Sequence, residues 1–125
     1  SDHAPRATDD KRLPYAQAAA GGAGLATLAA VLLGQVHNGT LGLIEALALV
    51  THHPAALLGL PAGRLTKGGA ADLVLLAPDR AWSIESGKLP GKAQNTPFDG
   101  RPVEGRVLAT FKGGRKVFGQ GSPPP

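Results

Sequence analysis

Residues 13–63 are almost free of charge, and this limits what the chain can fold into more than any other feature. Glu45 is the only Asp, Glu, Lys or Arg side chain within them. Four apolar residues of this segment share one helix face by their spacing: Leu25, Leu28, Leu32 and Val36. Helices that are apolar on nearly every face are buried against other parts of a protein. The segment therefore predicts buried helices, and the chain itself offers little material to cover them.

Sequence signals place the ends of these helices. Asn38-Gly39 is expected to end the first helix, and a second helix is expected from about Gly42 to Val50. A third, short helix is expected to begin at His53-Pro54, because proline is well tolerated at the first helical position. Gly59 is placed to end it. Residues 6–21, which are polar and then rich in Ala and Gly, are expected to form a loop.

Beyond Pro61 the apolar period changes from that of helices to that of strands. Residues 72–76 form a short apolar run that ends before Pro78, which predicts a buried strand. Three further stretches are typical of strands, namely 82–84, 106–111 and 116–118. Gly113-Gly114 separates the last two and predicts a two-residue hairpin turn.

This change of period predicts two units followed by a tail. Residues 1–62 form the helical unit and residues 63–119 the β unit. Residues 120–125 carry three prolines and two glycine or serine positions, offer no means of packing, and are expected to be disordered.

Composition narrows the function classes. The chain has 125 residues, which suffices for one small domain or two half-domains. It has no cysteine, so disulfide and thiolate chemistry are excluded, which fits a reducing cytoplasm. The apolar stretch 16–36 is interrupted by polar residues and glycines, and therefore predicts a buried helix and no membrane span. No signal-peptide pattern and no methionine are present.

Charge is unevenly distributed but does not indicate nucleic-acid binding. The net charge is +4, with three basic and four acidic residues up to Gly63 and ten basic and five acidic residues from Arg64 onward. The basic residues are scattered, and neither a basic helix nor an aromatic stacking platform accompanies them. A solvated surface is the favoured interpretation.

The run Ser1-Asp2-His3-Ala4-Pro5 carries the clearest candidate chemistry. A carboxylate beside an imidazole can supply a metal ligand and a proton acceptor. The same residues also fit a turn in which Asp2 accepts a hydrogen bond from a backbone N–H. Residues 1–5 alone leave both interpretations open.

Several motifs follow this run in a fixed order. They are Lys-Arg-Leu-Pro-Tyr-Ala at 11–16, Ala-Asp-Leu-Val at 71–74, Asn-Thr-Pro-Phe at 95–98 and Gly-Arg-Val at 105–107. With the run at 1–5, they resemble the C-terminal third of a class I dihydroorotase of the amidohydrolase superfamily. The resemblance implies an α/β fold, in which residues 1–62 are the C-terminal end of a (β/α)₈ barrel, with the end of its last strand, a substrate loop and helices. Residues 63–119 would then be part of a small β-sandwich.

The resemblance also assigns site residues. Asp2 would be the catalytic aspartate that contacts zinc and moves a proton as the cyclic amide opens and closes. Arg6, Ala20 and Gly21 would bind substrate, the last two through backbone groups. Class I members often have histidine where Arg6 stands and a proline where this loop has Ala18-Ala19-Ala20. The histidines here are expected to be structural: His3 hydrogen-bonded, His37 near a helix end and His52-His53 at a helix start.

The other zinc ligands of this family, a His-x-His pair, a carboxylated lysine and two further histidines, are expected in a missing upstream part. The segment alone is therefore expected to be inactive and not to fold stably. Three functions stay open. The first is part of a dihydroorotase that interconverts N-carbamoyl-L-aspartate and (S)-dihydroorotate in pyrimidine synthesis. The second is an inactive subunit that scaffolds aspartate transcarbamoylase, and the third is another cyclic amidohydrolase of hydantoinase or allantoinase type.

Overall fold

Helices come first and a three-stranded antiparallel sheet follows in the structure, a computed structural model that describes residues 1–119. This order confirms the predicted change from helix to strand. The helices are α1 Thr8–Arg12, α2 Leu28–His37, α3 Leu43–Val50, α4 His52–Leu57 and a short 3₁₀ helix at Ser86–Lys88. The strands are β1 Leu73–Ser83, β2 Pro102–Lys112 and β3 Arg115–Gly119. The disorder predicted for 120–125 lies outside the described residues.

The helix ends agree with the sequence signals, whereas α1 and the 3₁₀ helix at Ser86–Lys88 were not predicted. α2 ends just before Asn38-Gly39, and α4 ends two residues before Gly59, where both glycines have positive φ. The expectation of a loop across 6–21 is wrong at Thr8–Arg12, which forms α1. Acidic residues in the first turn of α1 and basic residues in its last turn complement the helix dipole.

β1 corrects the prediction of two separate strands. It runs through Pro78 and includes the predicted strand at 82–84 up to Ser83. Its pairing with β2 shifts register between Ala77 and Ala81, so the proline lies in a bulge. A proline cannot donate to a sheet ladder, and a bulge removes that requirement. The hairpin at Gly113-Gly114 is confirmed, with φ of 55° and 78° at its two residues, as a type I′ turn requires.

α2 packs on β2 and forms the main contact between the helices and the sheet. Leu33 of α2 is 1% exposed and lies directly against Gly105 of β2. The indole N–H of Trp82 donates to the Gly105 carbonyl at 2.9 Å and fixes β1 beside it. This contact joins residues on both sides of position 62, while the division into two units stays a prediction.

Large apolar side chains remain exposed on both the helices and the sheet. Leu57 is 87% exposed and Ile44 79%, as the charge-free helical segment predicts when little material covers it. The burial predicted for strand 72–76 is wrong, since Val74 is 54% and Leu75 52% exposed. Residues 1–119 supply no layer over that part of β1. Across the same residues, no helix is both long and apolar enough to cross a membrane.

Candidate functional site

The N-terminal run lies along the loop that the sequence assigns to substrate binding. His3 forms a parallel bridge with Gly22, and the Ala4 N–H donates to the Gly22 carbonyl at 3.0 Å. Gly21 has φ of 119°, and a Cβ there would lie 2.6 Å from the Ala4 carbonyl oxygen. Only glycine allows both this conformation and this approach. The loop is therefore held against residues 1–4 by backbone contacts.

Asp2 has an unusual backbone conformation and an exposed side chain. Its φ is 44°, the only positive value at a residue other than glycine within residues 1–119. Strained backbone of this kind is concentrated at functional sites. Its carboxylate accepts no hydrogen bond from the part of the chain that the structure describes, and Asp2 is exposed. The capping hydrogen bond of the alternative turn interpretation is not formed among those residues.

His3 has the hydrogen-bonded role that the sequence predicts. Its Nδ1 accepts from the backbone N–H groups of Gly24 and Leu25, each at 3.2 Å. These bonds fix the start of the turn that leads into α2. Because Nδ1 is occupied by two donors, that nitrogen is not free for a metal in this arrangement.

Arg6, which the resemblance groups with Ala20 and Gly21, contacts this loop through its guanidinium. Its Nε donates to the Ala20 carbonyl at 2.9 Å, and its backbone N–H donates to Oδ1 of Asn95 at 3.2 Å. A guanidinium has four further N–H donors besides Nε. Arg6 is exposed, so these donors remain open to solvent or to a ligand.

The carbonyls of the loop are occupied, whereas its N–H groups are open. Lys11 Nζ donates to the carbonyls of Ala19 at 2.9 Å and Gly21 at 3.2 Å. Asn95 Nδ2 donates to the Gly21 carbonyl at 3.3 Å. The N–H groups of Ala20 and Gly21 have no partner within residues 1–119. Two adjacent backbone donors are thus available to an acceptor placed beside the loop.

Lys11 and Asn95 belong to this site, although sequence reasoning assigns neither of them a role. Both lie inside motifs that carried the resemblance, at 11–16 and 95–98. Their partners are backbone carbonyls and, for Asn95, also a backbone N–H, and such groups cannot be recognised in an amino-acid sequence. Asn95 also reaches across 74 positions to Gly21. The one available signal was the presence of polar residues within otherwise apolar or turn-forming motifs.

The described residues do not hold a metal ion by themselves. Residues 1–119 contain no group of three or more His, Cys, Asp or Glu side chains that could bind one. Zinc requires three or four protein ligands. Asp2 offers one free carboxylate, which fits a single position of such a site. His37 is engaged elsewhere, with Asp79 and Glu104 each 3.6 Å from its ring.

Comparison with protein families places nearly the whole chain in one of them. Residues 2–117 match the model of the amidohydrolase family. A dihydroorotase of Wolbachia sp. subsp. Drosophila simulans is 39% identical over 122 residues, which are 98% of this chain and 28% of the relative. A dihydroorotase of Ehrlichia canis is 41% identical over 94% of this chain and 26% of its own length. The chain therefore spans about a quarter of these curated relatives.

Solved structures share the fold. A D-hydantoinase (dihydropyrimidinase) from Thermus sp. matches with a TM-score of 0.87 and 22% identity, over 98% of this chain and 28% of that one. An L-hydantoinase (dihydropyrimidinase) from Arthrobacter aurescens matches with a TM-score of 0.78 and 31% identity, over 85% and 24%. The arrangement of helices and sheet is thus one that larger proteins contain as a part.

Proposed function

Because the chain belongs to the amidohydrolase family, we propose that it is the C-terminal part of a dihydroorotase of class I type. The full-length protein would hydrolyse a cyclic amide and interconvert (S)-dihydroorotate and N-carbamoyl-L-aspartate in cytoplasmic pyrimidine synthesis. The identity of 39–41% to relatives named dihydroorotase supports this substrate over that of the hydantoinases. In this proposal residues 1–62 end the (β/α)₈ barrel and residues 63–119 belong to a β-sandwich.

The observation that supports the proposal best is that Asp2, whose carboxylate has no partner within residues 1–119, belongs to the segment that runs along the loop with two unpaired backbone donors. Asp2 lies one residue before the bridge between His3 and Gly22, so its backbone runs beside the loop that carries Ala20 and Gly21. In barrels of this class the ends of the strands supply the catalytic groups. We assign Asp2 the transfer of a proton between the attacking water and the leaving ring nitrogen, as a carboxylate can in amide hydrolysis.

Ala20, Gly21 and Arg6 would bind the substrate. Dihydroorotate carries ring carbonyls and a carboxylate, all of which accept hydrogen bonds. The N–H groups of Ala20 and Gly21 are suited to such acceptors. The guanidinium of Arg6 is suited to a carboxylate through the donors that the Ala20 carbonyl leaves free.

The family implies a metal, and we propose zinc. Asp2 would occupy one ligand position, and the remaining ligands would come from the three quarters of the family length that this chain does not span. A zinc ion bound there would polarise the amide carbonyl. The donor set among residues 1–119 is too small to hold it without those parts.

A catalytically inactive subunit is the second candidate. Arg6 replaces the usual histidine, and its Nε is engaged with Ala20. Such a subunit would act as a scaffold, with aspartate transcarbamoylase as the proposed partner. A hydantoinase-type hydrolase is the third candidate, and the L-hydantoinase match at 31% identity is what supports it.

The substitution Asp2→Asn in the full-length protein tests the catalytic assignment. We expect kcat for dihydroorotate to fall by at least about 100-fold, since proton transfer by a positioned side chain contributes about 10²–10⁴. The melting temperature should stay unchanged, because the carboxylate has no partner within residues 1–119. Asp9→Asn, which removes an exposed carboxylate of α1, is the matched control and should retain full turnover.

Three outcomes would redirect the proposal. Near-normal kcat with a lowered melting temperature in Asp2→Asn would return Asp2 to a turn-capping role. Absence of turnover in the unmodified full-length protein, with zinc present, would favour the scaffold. Preferential turnover of hydantoin over dihydroorotate would favour the hydantoinase type.

A further inference from the structure

Three side chains hold consecutive carbonyls of the loop at residues 19–21. Arg6 holds the carbonyl of Ala20, and Lys11 holds those of Ala19 and Gly21. Asn95 holds Gly21 from a different part of the chain. Each carbonyl belongs to a planar trans peptide, in which the N–H of the next residue points in the opposite direction. Fixing a carbonyl therefore fixes the direction of the following donor.

This geometry connects Lys11 directly to a proposed substrate donor. The Ala19 carbonyl shares its peptide plane with the Ala20 N–H, and Lys11 Nζ lies 2.9 Å from that carbonyl. α1 adds a second contact, because the Ala19 N–H donates to the Asp10 carbonyl at 3.1 Å. Residues 18–22 around these carbonyls are three alanines and two glycines, which lack side chains long enough to anchor the loop. Its position depends on groups that reach it from outside.

Asn95 connects the same loop to the N-terminal run. Its Oδ1 accepts from the Arg6 N–H at 3.2 Å, and its Nδ2 donates to the Gly21 carbonyl at 3.3 Å. Its own backbone carbonyl accepts from the Ala23 N–H at 3.1 Å. The half-buried side chain of Asn95 thus links Arg6 to Gly21 from a segment that lies far from both in sequence. It uses its acceptor for Arg6 and its donor for Gly21.

We propose that Lys11 and Asn95 are positioning residues that determine substrate affinity. Lys11 sets the direction of the Ala20 N–H through the Ala19 carbonyl. Asn95 fixes the Gly21–Gly22 peptide and the backbone of Arg6, whose guanidinium in turn orients the Gly21 N–H through the Ala20 carbonyl. This inference rests on the proposed function, because the substrate is the one assigned there. Neither residue touches the reacting atoms in this assignment. Losing either should weaken substrate binding more than it slows the proton transfer at Asp2.

Two isosteric or charge-matched substitutions in the full-length protein test the inference. Asn95→Asp keeps the acceptor for Arg6 but replaces the donor to Gly21 with a carboxylate oxygen. Its control is Gln94→Glu, which adds the same charge at an exposed neighbouring position. Lys11→Met removes the ammonium, and Arg12→Met removes an equal charge from the next residue of α1. A difference in KM between a variant and its control therefore reflects the position of the substituted side chain and not the change in net charge.

We expect KM for dihydroorotate to rise about tenfold in Asn95→Asp and in Lys11→Met, the size expected when one or two hydrogen bonds to the loop are lost. In the same variants kcat should stay within about threefold of its value in the unmodified protein. The lost contacts stabilise the bound substrate and the transition state equally, so their loss changes KM and not kcat. Both controls should keep KM. An unchanged KM in the two variants, or an equal change in their controls, would overturn the inference.

Hydrogen exchange at residues 18–25, followed by mass spectrometry, is a second measurement that needs no activity. Exchange in this peptide should be faster in both variants than in their controls, while exchange in β2 stays unchanged. Faster exchange throughout the protein would assign both residues a general structural role and overturn the positioning role. If the unmodified protein shows no turnover, the proposed function fails. Exchange at residues 18–25 that is no faster in the variants than in their controls would separately refute the positioning role of Lys11 and Asn95.

Discussion

Gly105→Ala is expected to separate α2 from the sheet. An alanine Cβ at this position would lie 2.3 Å from Cδ1 of Leu33, and also 3.1 Å from its Cβ and 3.3 Å from its Cγ. Rotating the end of the Leu33 side chain relieves only the first of these contacts. Leu33 is 1% exposed, so its side chain cannot turn into solvent without leaving the contact between α2 and β2.

Two costs, overpacking and backbone strain, determine how much Gly105→Ala destabilises the contact between α2 and β2. Overpacking a filled core costs about 1–3 kcal/mol. Gly105 also has φ of 98°, where an L side chain is strained, and such strain costs about 1–3 kcal/mol. We therefore expect the free energy of opening the α2–β2 contact to fall by about 2–6 kcal/mol, which corresponds to at least about 30-fold faster exchange of its protected amides.

Hydrogen exchange in the full-length protein measures this effect through peptides covering residues 29–36 and 103–112. Gly34→Ala is the matched control, because a Cβ on that α2 residue meets nothing within 4 Å. It should slow exchange slightly, since replacing glycine within a helix stabilises it by about 0.5–1 kcal/mol. Unchanged protection in Gly105→Ala would refute the packing argument, and so would equal loss in both variants.

Two further predictions concern pH and the isolated chain. The Lys112 ammonium and the Gly113 N–H, which both donate to Asp72, hold the pKa of that carboxyl below its ordinary value. A lowered folded-state pKa stabilises the hairpin above about pH 4 and this stabilisation is lost as the pH falls through the folded-state pKa. Asp72→Asn should abolish that acid dependence of amide exchange at Gly113 and Gly114, whereas an unchanged pH profile would exclude the Asp72 contacts as its cause. The purified 125-residue chain should show no dihydroorotase turnover with added zinc, since residues 1–119 lack a metal-binding cluster; turnover above background would disprove the need for further polypeptide.

Local signals in the sequence were sufficient for most element boundaries. Glycines with positive φ end the helices near Gly39 and Gly59 and form the turn at 113–114. These positions are fixed by backbone sterics, which act within a few residues and are therefore readable from sequence. The small helix α1 was missed because its residues are polar and show no apolar period, so its charges at the two ends were the only indication.

Contacts between distant segments could not be predicted in the same way. Strand β1 was expected to stop before Pro78, but the bulge that admits the proline depends on the register of β2. Burial of Val74 and Leu75 was expected from their composition, whereas burial depends on what covers a strand. At the site, Asp2, Arg6, Ala20 and Gly21 were assigned from the resemblance. Lys11 and Asn95 became visible only through their distances to loop carbonyls.

The two departures from the family pattern at the site are connected in the structure. The resemblance leads us to expect a histidine at position 6 and a proline in the loop at 18–20. Considered separately, each of these two departures favours an inactive subunit. The Arg6 guanidinium, however, holds the Ala20 carbonyl at 2.9 Å within that same loop. A charge-assisted hydrogen bond restricts the loop where a proline ring would otherwise do so. Arg6 and the loop are therefore joined by one contact, and under the proposed function the two changes count once in the choice between enzyme and scaffold.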